Sequence, residues 1–173
     1  MRLFPTILIL SAALSVAAGC TSGPAVRVDK SPTVNLGDYR TFGFYDHSSN
    51  DRGQYSSIMT ARLQQATRAQ LEKLGYTYDS HDPQLRVNFL MRVTDKQEIH
   101  TNPGTFYRPR LGGGSIETVD YKAGTLNIDL VDVRTNALVW QGVAEGRVSR
   151  DATQNPGPAV DTVVAEIFQR FHL

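Results

Sequence analysis

Over residues 121–133 the chain alternates with a period of two, Leu126, Ile128 and Leu130 falling on one side. After the short turn Arg134-Thr135-Asn136 it returns over residues 137–149 as a second extended run that carries Trp140. A period of two sends successive side chains to opposite faces of a pleated strand. Residues 124–149 therefore predict an antiparallel hairpin with one apolar face. Such a face has to be covered, and that requirement restricts what the rest of the chain can do.

The cover is visible at two places. Tyr55, Met59, Leu63, Ala66 and Leu74 recur at helical spacing and stop at Gly75, a helix with a glycine cap. Beyond the breaker Asn155-Pro156-Gly157-Pro158, the residues Val160, Val163, Val164, Ile167, Phe168 and Phe171 form an apolar stripe on a terminal helix. Further strands are expected at Val26 and Val28, and at residues 39–45 after a turn at 35–38. Leu85, Val87, Phe89, Met91 and Val93 alternate with Arg86, Asn88, Leu90 and Arg92, and another β segment is expected from Lys96 toward Tyr107. Helices after and between strands, rather than regularly alternating with them, predict an α+β two-layer sandwich: a mostly antiparallel sheet with two helices packed on one face.

The first residues stand outside that fold. Arg2 precedes an apolar run over residues 3–16 that is shorter than the roughly twenty residues a spanning helix needs, and Ala17, Ala18 and Gly19 are small. These are the parts of a signal peptide. Cys20, the only cysteine, follows directly, and small residues ending in Cys resemble the lipobox of bacterial lipoproteins. That resemblance implies a diacylglycerol on the Cys20 thiol and a third acyl chain on its amine. Two or more chains hold a protein stably at a bilayer where one does not. The alternative is an ordinary secretory signal cleaved nearby, with Cys20 there by chance. Thr21 stands where, in enteric lipoproteins, an Asp favours inner-membrane retention, so the outer membrane is expected. The division is then a signal peptide at 1–19, a lipidated tether at 20–24 and a single domain of unknown function at 25–173. With Cys20 lipidated, no disulfide can form within the chain.

Composition excludes some partners. Removing Arg2 takes the 18 Lys and Arg down by one, to equal the 17 Asp and Glu. Nucleic-acid binding normally shows as a basic excess or stripe, and a lipid-binding patch as clustered Lys and Arg. Neither occurs as a run, so nucleic acid is not an expected partner. The stretch 20–173 is long enough to bury roughly two thirds of its unfolded surface in one domain.

Four segments, in this order, carry a family resemblance: Tyr39-Arg40-Thr41-Phe42-Gly43-Phe44, Leu71-Glu72-Lys73-Leu74-Gly75-Tyr76, Leu85-Arg86-Val87-Asn88-Phe89, and Gly124-Thr125-Leu126-Asn127-Ile128-Asp129-Leu130-Val131-Asp132 leading to Leu138-Val139-Trp140-Gln141-Gly142. The chain resembles the bacterial lipoprotein family known as domain of unknown function 4136. The strand ending in Val-Asp, the turn and Val-Trp-x-Gly are the most specific piece. Gln84-Leu85 stands where members often have Asp-Leu, a departure that keeps the alternation. The resemblance implies an envelope lipoprotein with an α/β sandwich and supplies no catalytic residue.

The residues themselves offer little catalysis. His47, His81, His100 and His172 are scattered, with no i, i+4 pair of the zinc type. Asp79, His81 and Asp82 lie in a turn where such residues serve the backbone, so no metal is expected. There is no Gly-x-Ser-x-Gly elbow, and no thiol remains once Cys20 is acylated. Glu98, Glu117, Asp120, Asp129, Asp132 and Glu145 offer carboxylates for a glycosidase-like pair, against their reading as the solvent side of alternating strands. Gly112-Gly113-Gly114 lacks the flanking strand and helix of a phosphate loop and reads as a flexible hairpin tip. Trp140 and Tyr121 are candidates to line a ligand groove, against Trp140 as core.

Phe106, Tyr107, Arg108, Arg110 and Leu111 gather aromatic, basic and apolar side chains in one segment, a composition favoured at interfaces. They are the candidate contact for a partner protein or an anionic envelope component, the alternative being a solvated loop resting on the core. The expectation is an outer-membrane lipoprotein facing the periplasm, monomeric or weakly oligomeric. It has no catalytic residue and no cofactor beyond the lipid on Cys20, and acts in binding or envelope assembly. Against it stand a hydrolase of peptidoglycan or lipid and a small-ligand-binding lipoprotein.

Overall fold

A computed structural model describes residues 23–45, 57–102 and 115–172. Six strands form one sheet: β1 (Ala25–Lys30), β2 (Thr41–Phe44), β3 (Thr77–Tyr78), β4 (Leu85–Asn102), β5 (Ser115–Asp132) and β6 (Ala137–Val148), in the order β1-β6-β5-β4-β2-β3. Three helices accompany it, α1 (Ile58–Lys73), α2 (Arg150–Gln154) and α3 (Pro156–Phe168). The class is α+β, as the sequence indicates.

The expected hairpin is β5 and β6, paired antiparallel from Lys122↔Val148 to Asp132↔Ala137. A register shift between Leu130 and Val131 inserts Val139 as a bulge residue. The turn that follows β5 holds Asn136 at φ 52°, the left-handed region that Asn tolerates. The segment expected from Lys96 onward is not separate. As far as Asn102 it is the outer half of β4, which pairs with β5 through 18 residues without a break, from Leu85↔Asp132 to Asn102↔Ser115; the remainder lies outside the described residues.

The expectation needs two corrections of detail. The sheet is mostly antiparallel, through β1-β6-β5-β4, but it is mixed, because β2 runs parallel to both β3 and β4. The reason is connectivity: β2 reaches β3 through α1, and a helical crossover returns the chain in its original direction. The second correction is the third helix, α2, a single short stretch started by the Ser149 side chain, which accepts a hydrogen bond from Ala152 N at 3.0 Å. β3, only two residues long, gives no periodic signal to read.

Helix ends follow their local chemistry. Ser57 caps α1 by accepting from Thr60 N at 3.0 Å. At the other end Gly75 sits at φ 92°, Tyr76 N donates to Leu71 O and Gly75 N to Glu72 O. That is a Schellman closure, and it needs a residue without Cβ at the left-handed position. Pro156 opens α3, where its missing N–H costs nothing.

The core draws on both kinds of element. Leu63, Ala66 and Leu71 of α1 and Val160, Val164, Ile167 and Phe168 of α3 join Leu85, Val87, Phe89, Leu126, Ile128, Leu130 and Trp140 of the sheet in one buried cluster. Trp140, 1 % exposed, stacks on Phe168 and also meets Phe171, with ring centroids 5.4 and 5.1 Å away. Gly142, two residues along the same face, lets α3 come this close. A Cβ there would collide with Ile167 Cγ2 and lie 2.6 Å from the Trp140 ring. Gly142→Ala is therefore expected to lower the unfolding free energy by about 1–3 kcal/mol, read as a lower urea midpoint at unchanged m-value.

Candidate functional site

Residues 31–40 lead from β1 at one edge of the sheet to β2 near the other, and this connection frames two shallow clefts. Asn35 starts a single 3₁₀ turn over Leu36–Asp38 by accepting from Gly37 N at 3.1 Å. The next residue, Tyr39, stands between the clefts and lines both. One, of about 330 Å³, also includes Lys30, Leu36, Arg40, Tyr76, Phe171 and His172. The other, of about 500 Å³, includes Asp38, Asp82, Gln84, Asp132 and Arg134.

Tyr39 and Asp132 form the polar centre of the second cleft. Tyr39 Oη donates to Asp132 Oδ2 at 2.7 Å, and Thr135 N donates to Asp132 Oδ1 at 2.7 Å. Asp132 as a residue is only 6 % exposed. The Thr135 backbone bond and then the Tyr39 hydroxyl hold its pKa below the usual carboxylate range, outweighing burial. Burial, followed by the hydrogen bond and charge of Asp132, pushes the Tyr39 phenol up to about 12. The pair is thus a neutral donor on a fixed carboxylate, joining the β1–β2 connection to the end of β5. Each carboxylate oxygen accepts one bond from the chain, which fixes the orientation of the group and leaves a further lone pair on each oxygen.

Nearby polar groups are similarly engaged. Gln84 Oε1 accepts from Arg40 N at 2.6 Å, and Gln84 N donates to Thr41 Oγ1 at 3.0 Å. Asp79 accepts from His81 N at 2.8 Å and Asp82 N at 3.1 Å, which lowers its pKa. The Asp79-Ser80-His81-Asp82 turn thus uses Asp79 for the backbone, as its composition suggests. Among the described residues no group of three or more His, Cys, Asp or Glu is placed to hold a metal ion.

The strand register also separates residues that the sequence leaves together. In β5 the even positions Leu126, Ile128 and Leu130 face the buried cluster while Asp129 and Asn127 are only partly covered. Asp132 and Asp129 therefore project to opposite faces and cannot act as a carboxylate pair. Asp129 instead accepts from Gln141 Nε2, its cross-strand partner, at 2.7 Å. The same parity overturns the groove lined by Trp140 and Tyr121. Trp140 pairs with Leu130 on the buried face, whereas Tyr121 falls on the other.

Tyr121 belongs to a different cluster. Arg147 lies over its ring at 4.0 Å and ion-pairs with Glu98, whose carboxylate also approaches His100 Nε2 at 3.7 Å. These residues mark the root of a ribbon. β6 ends its pairing at Lys122↔Val148, so beyond that point β4 and β5 continue as two strands alone. Ile99 and Ile116 are 66 % and 73 % exposed there. Sequence reasoning treats Glu98 and Tyr121 separately and misses the cluster, because the register joining them is visible only once the strands are paired.

Cys20 and the candidate contact residues Phe106, Tyr107, Arg108, Arg110 and Leu111 lie outside the described residues. So does the Gly112-Gly113-Gly114 run.

An α+β domain with a mixed six-stranded sheet, two shallow clefts and a long two-stranded arm is the class these observations define. The family model DUF4136, a domain of unknown function, matches residues 26–171, and the chain belongs to that family. Solved structures share the fold. A DUF4136 family protein from Bacteroides thetaiotaomicron VPI-5482 is 13 % identical over 86 % of this chain and 95 % of its own, with a TM-score of 0.55. A PDZ domain protein from Parabacteroides distasonis ATCC 8503 is 13 % identical over 88 % of this chain, with a TM-score of 0.58. The match spans 37 % of that PDZ domain protein. No curated protein matches the sequence.

Tyr39→Phe removes a hydrogen bond to a buried carboxylate and is expected to destabilise the fold by about 1–3 kcal/mol at neutral pH. Two pH windows check the assignment by denaturation of wild type and variants. The folded pKa of Tyr39 lies above its ordinary value of 10.0, so its contribution is complete below pH 10.0 and lost as pH rises toward about 12, where wild type and Tyr39→Phe converge. The folded pKa of Asp132 lies below its ordinary 3.8. Its contribution is present above 3.8 and lost as pH falls through the folded value, so Asp132→Asn approaches wild type only in stronger acid.

Proposed function

We propose that this protein is an outer-membrane-anchored lipoprotein, facing the periplasm, that works by binding as a non-catalytic accessory of the cell envelope. The observation that carries the binding reading is the two-stranded arm. It extends the sheet beyond β6, keeps Ile99 and Ile116 in solvent, and its two strands bracket the segment that contains Phe106, Tyr107, Arg108, Arg110 and Leu111. Exposed apolar side chains, with aromatic and basic residues close to them in sequence, have the composition of a contact surface. By contrast, both oxygens of Asp132, the most buried carboxylate of the clefts, are held by the chain itself.

The proposal includes a two-layer sandwich, with α1 and α3 over the apolar face of the sheet. Support comes from Leu63, Leu71, Val164 and Ile167 sharing one buried cluster with Val87, Ile128 and Trp140. The anchor rests on Arg2, the apolar run, Ala17-Ala18-Gly19 and Cys20. No helix among the described residues is long and apolar enough to cross a membrane, so attachment would fall to the lipid.

Metabolic labelling with an alkyne fatty acid, followed by membrane fractionation, tests the anchor. Wild type is expected to carry label and travel with the outer membrane, and Cys20→Ala to lose both. Label retained by Cys20→Ala would overturn lipidation at that residue. For the binding reading, in-cell crosslinking is expected to give one discrete envelope adduct that the Arg108→Ala, Arg110→Ala double variant loses. An adduct unchanged by that variant would remove the contact assignment.

A further inference from the structure

The outer edge of β4 is the longest uncovered strand edge among the described residues. β2 pairs with β4 only from Leu85 to Val87, and no described residue pairs with that edge from Val93 to Asn102. Tyr45 N donates to Val87 O at 3.2 Å, which shows that the backbone groups of Val87 point toward the β2 side. By the two-residue alternation of an antiparallel ladder, those of Val93, Asp95, Gln97 and Ile99 point the same way. Sheet edges are commonly blunted by proline, by a bulge or by charged side chains. β4 has no proline from Leu85 to Asn102 and no register shift in its pairing with β5, so what guards its edge is charge alone, at Arg92, Asp95, Lys96 and Glu98.

We propose that β4 pairs antiparallel with β4 of a second copy of this chain, about a two-fold axis at Gln97, joining two arms into one four-stranded sheet. A two-fold contact uses the same surface twice and so must be self-complementary. The charges along β4 select the register. A register centred on Asp95, Lys96 or Glu98 sets that charged residue against its own copy, which is unfavourable between directly opposed strand positions. A register centred on Ile99 reaches back only to Lys96 before it runs past Asn102. Centring on Gln97 uses the edge from Arg92 to Asn102 and sets Lys96 opposite Glu98 twice.

The apolar groups agree with the same register. Val93 and Ile99 share the face that carries Phe89 nearer the core. About Gln97, Val93 of one copy becomes a diagonal neighbour of Ile99 of the other, within reach of a long side chain. Two such contacts would cover side chains that stand 49 % and 66 % exposed in the single chain. Glu98 is already paired with Arg147, yet its side chain keeps 42 % exposure, which leaves room for Lys96 of the second copy. His100 beside Glu98 adds positive charge only when protonated.

Cysteine crosslinking of the full-length protein in its own membranes tests this. Under mild oxidation Gln97→Cys is expected to form a disulfide dimer in about tenfold or greater yield than Thr94→Cys, or than wild type, whose only cysteine is Cys20. Adding Lys96→Glu to Gln97→Cys opposes like charges twice and should cut the yield about tenfold or more. Adding Glu98→Lys to that pair exchanges the two charges and should restore the dimer, which separates loss of contact from damage to the fold. Equal yields at positions 94 and 97, no dimer at 97, a charge exchange that fails to restore it, or crosslinking only to a different protein would each overturn the proposal.

Discussion

Trp140 is the contact on which the arrangement of helix and sheet depends. Its ring lies on the buried face of β6, stacked on Phe168 from the last turn of α3 and against Phe171 just beyond it. Phe168 and Phe171 are themselves stacked at 5.8 Å, and Tyr76 meets the edge of Phe171 at 6.0 Å. Aromatic pairs of this kind add roughly 0.5–1.5 kcal/mol each beyond the area they bury. The cluster therefore ties together the end of the chain, β6 and the residue that closes α1. Gly142 permits the approach by leaving empty the space where a side chain would meet Ile167. The Val-Trp-x-Gly motif is in this sense one packing unit: the ring supplies the contact and the glycine the clearance.

The Val-Asp that precedes the turn has a separate task. Asp132 ends β5 where the sheet must reverse, and its two oxygens accept from Thr135 N within the turn and from Tyr39 Oη across it. A buried carboxylate without donors would be costly; with two, it secures both the hairpin turn and the β1–β2 connection. The clefts on either side of Tyr39 follow from that arrangement. They are gaps left where an irregular connection crosses the end of the sheet, and several of their polar groups are occupied in holding the connection in place.

Much of this is legible in the sequence where periodicity is strong. Leu126, Ile128 and Leu130 reveal the face of β5, the stripe from Val160 to Phe171 reveals α3, and Gly75 marks the end of α1, each because a local rule and the tertiary environment agree. Trp140 reads correctly as core on the same grounds. The parallel pairing of β2 escapes such a reading, since direction depends on how α1 returns the chain and not on any residue within the strand. The length of β4 escapes it as well: past Val93 the sequence Thr94-Asp95-Lys96-Gln97-Glu98 is polar on both faces, so the alternation that identifies a half-buried strand disappears although the strand continues. At the site level, Asp132 is legible as a carboxylate but not as a clamp. Its partner Tyr39 is 93 positions away, and only the fold brings the two together.

The polar stretch of β4 also explains why the arm needs more than its own two strands. An isolated two-stranded ribbon is marginal in water, and what secures this one at its root is modest. Arg147 over Tyr121 is a cation–π contact of about 0.5–1 kcal/mol at an exposed site. The Lys122–Asp95 ion pair, at 2.8 Å with Asp95 largely in solvent, belongs to a class worth about 0–1 kcal/mol. Ile99 and Ile116 gain nothing from the core, because the buried cluster ends nearer the base of the strands. These contacts set the direction of the arm without covering it. A second strand along β4 would complete its hydrogen bonds, cover Val93 and Ile99, and use Lys96 and Glu98 in place of the proline or bulge that elsewhere keeps such an edge apart. The same charges that prevent indiscriminate edge pairing would then choose the partner.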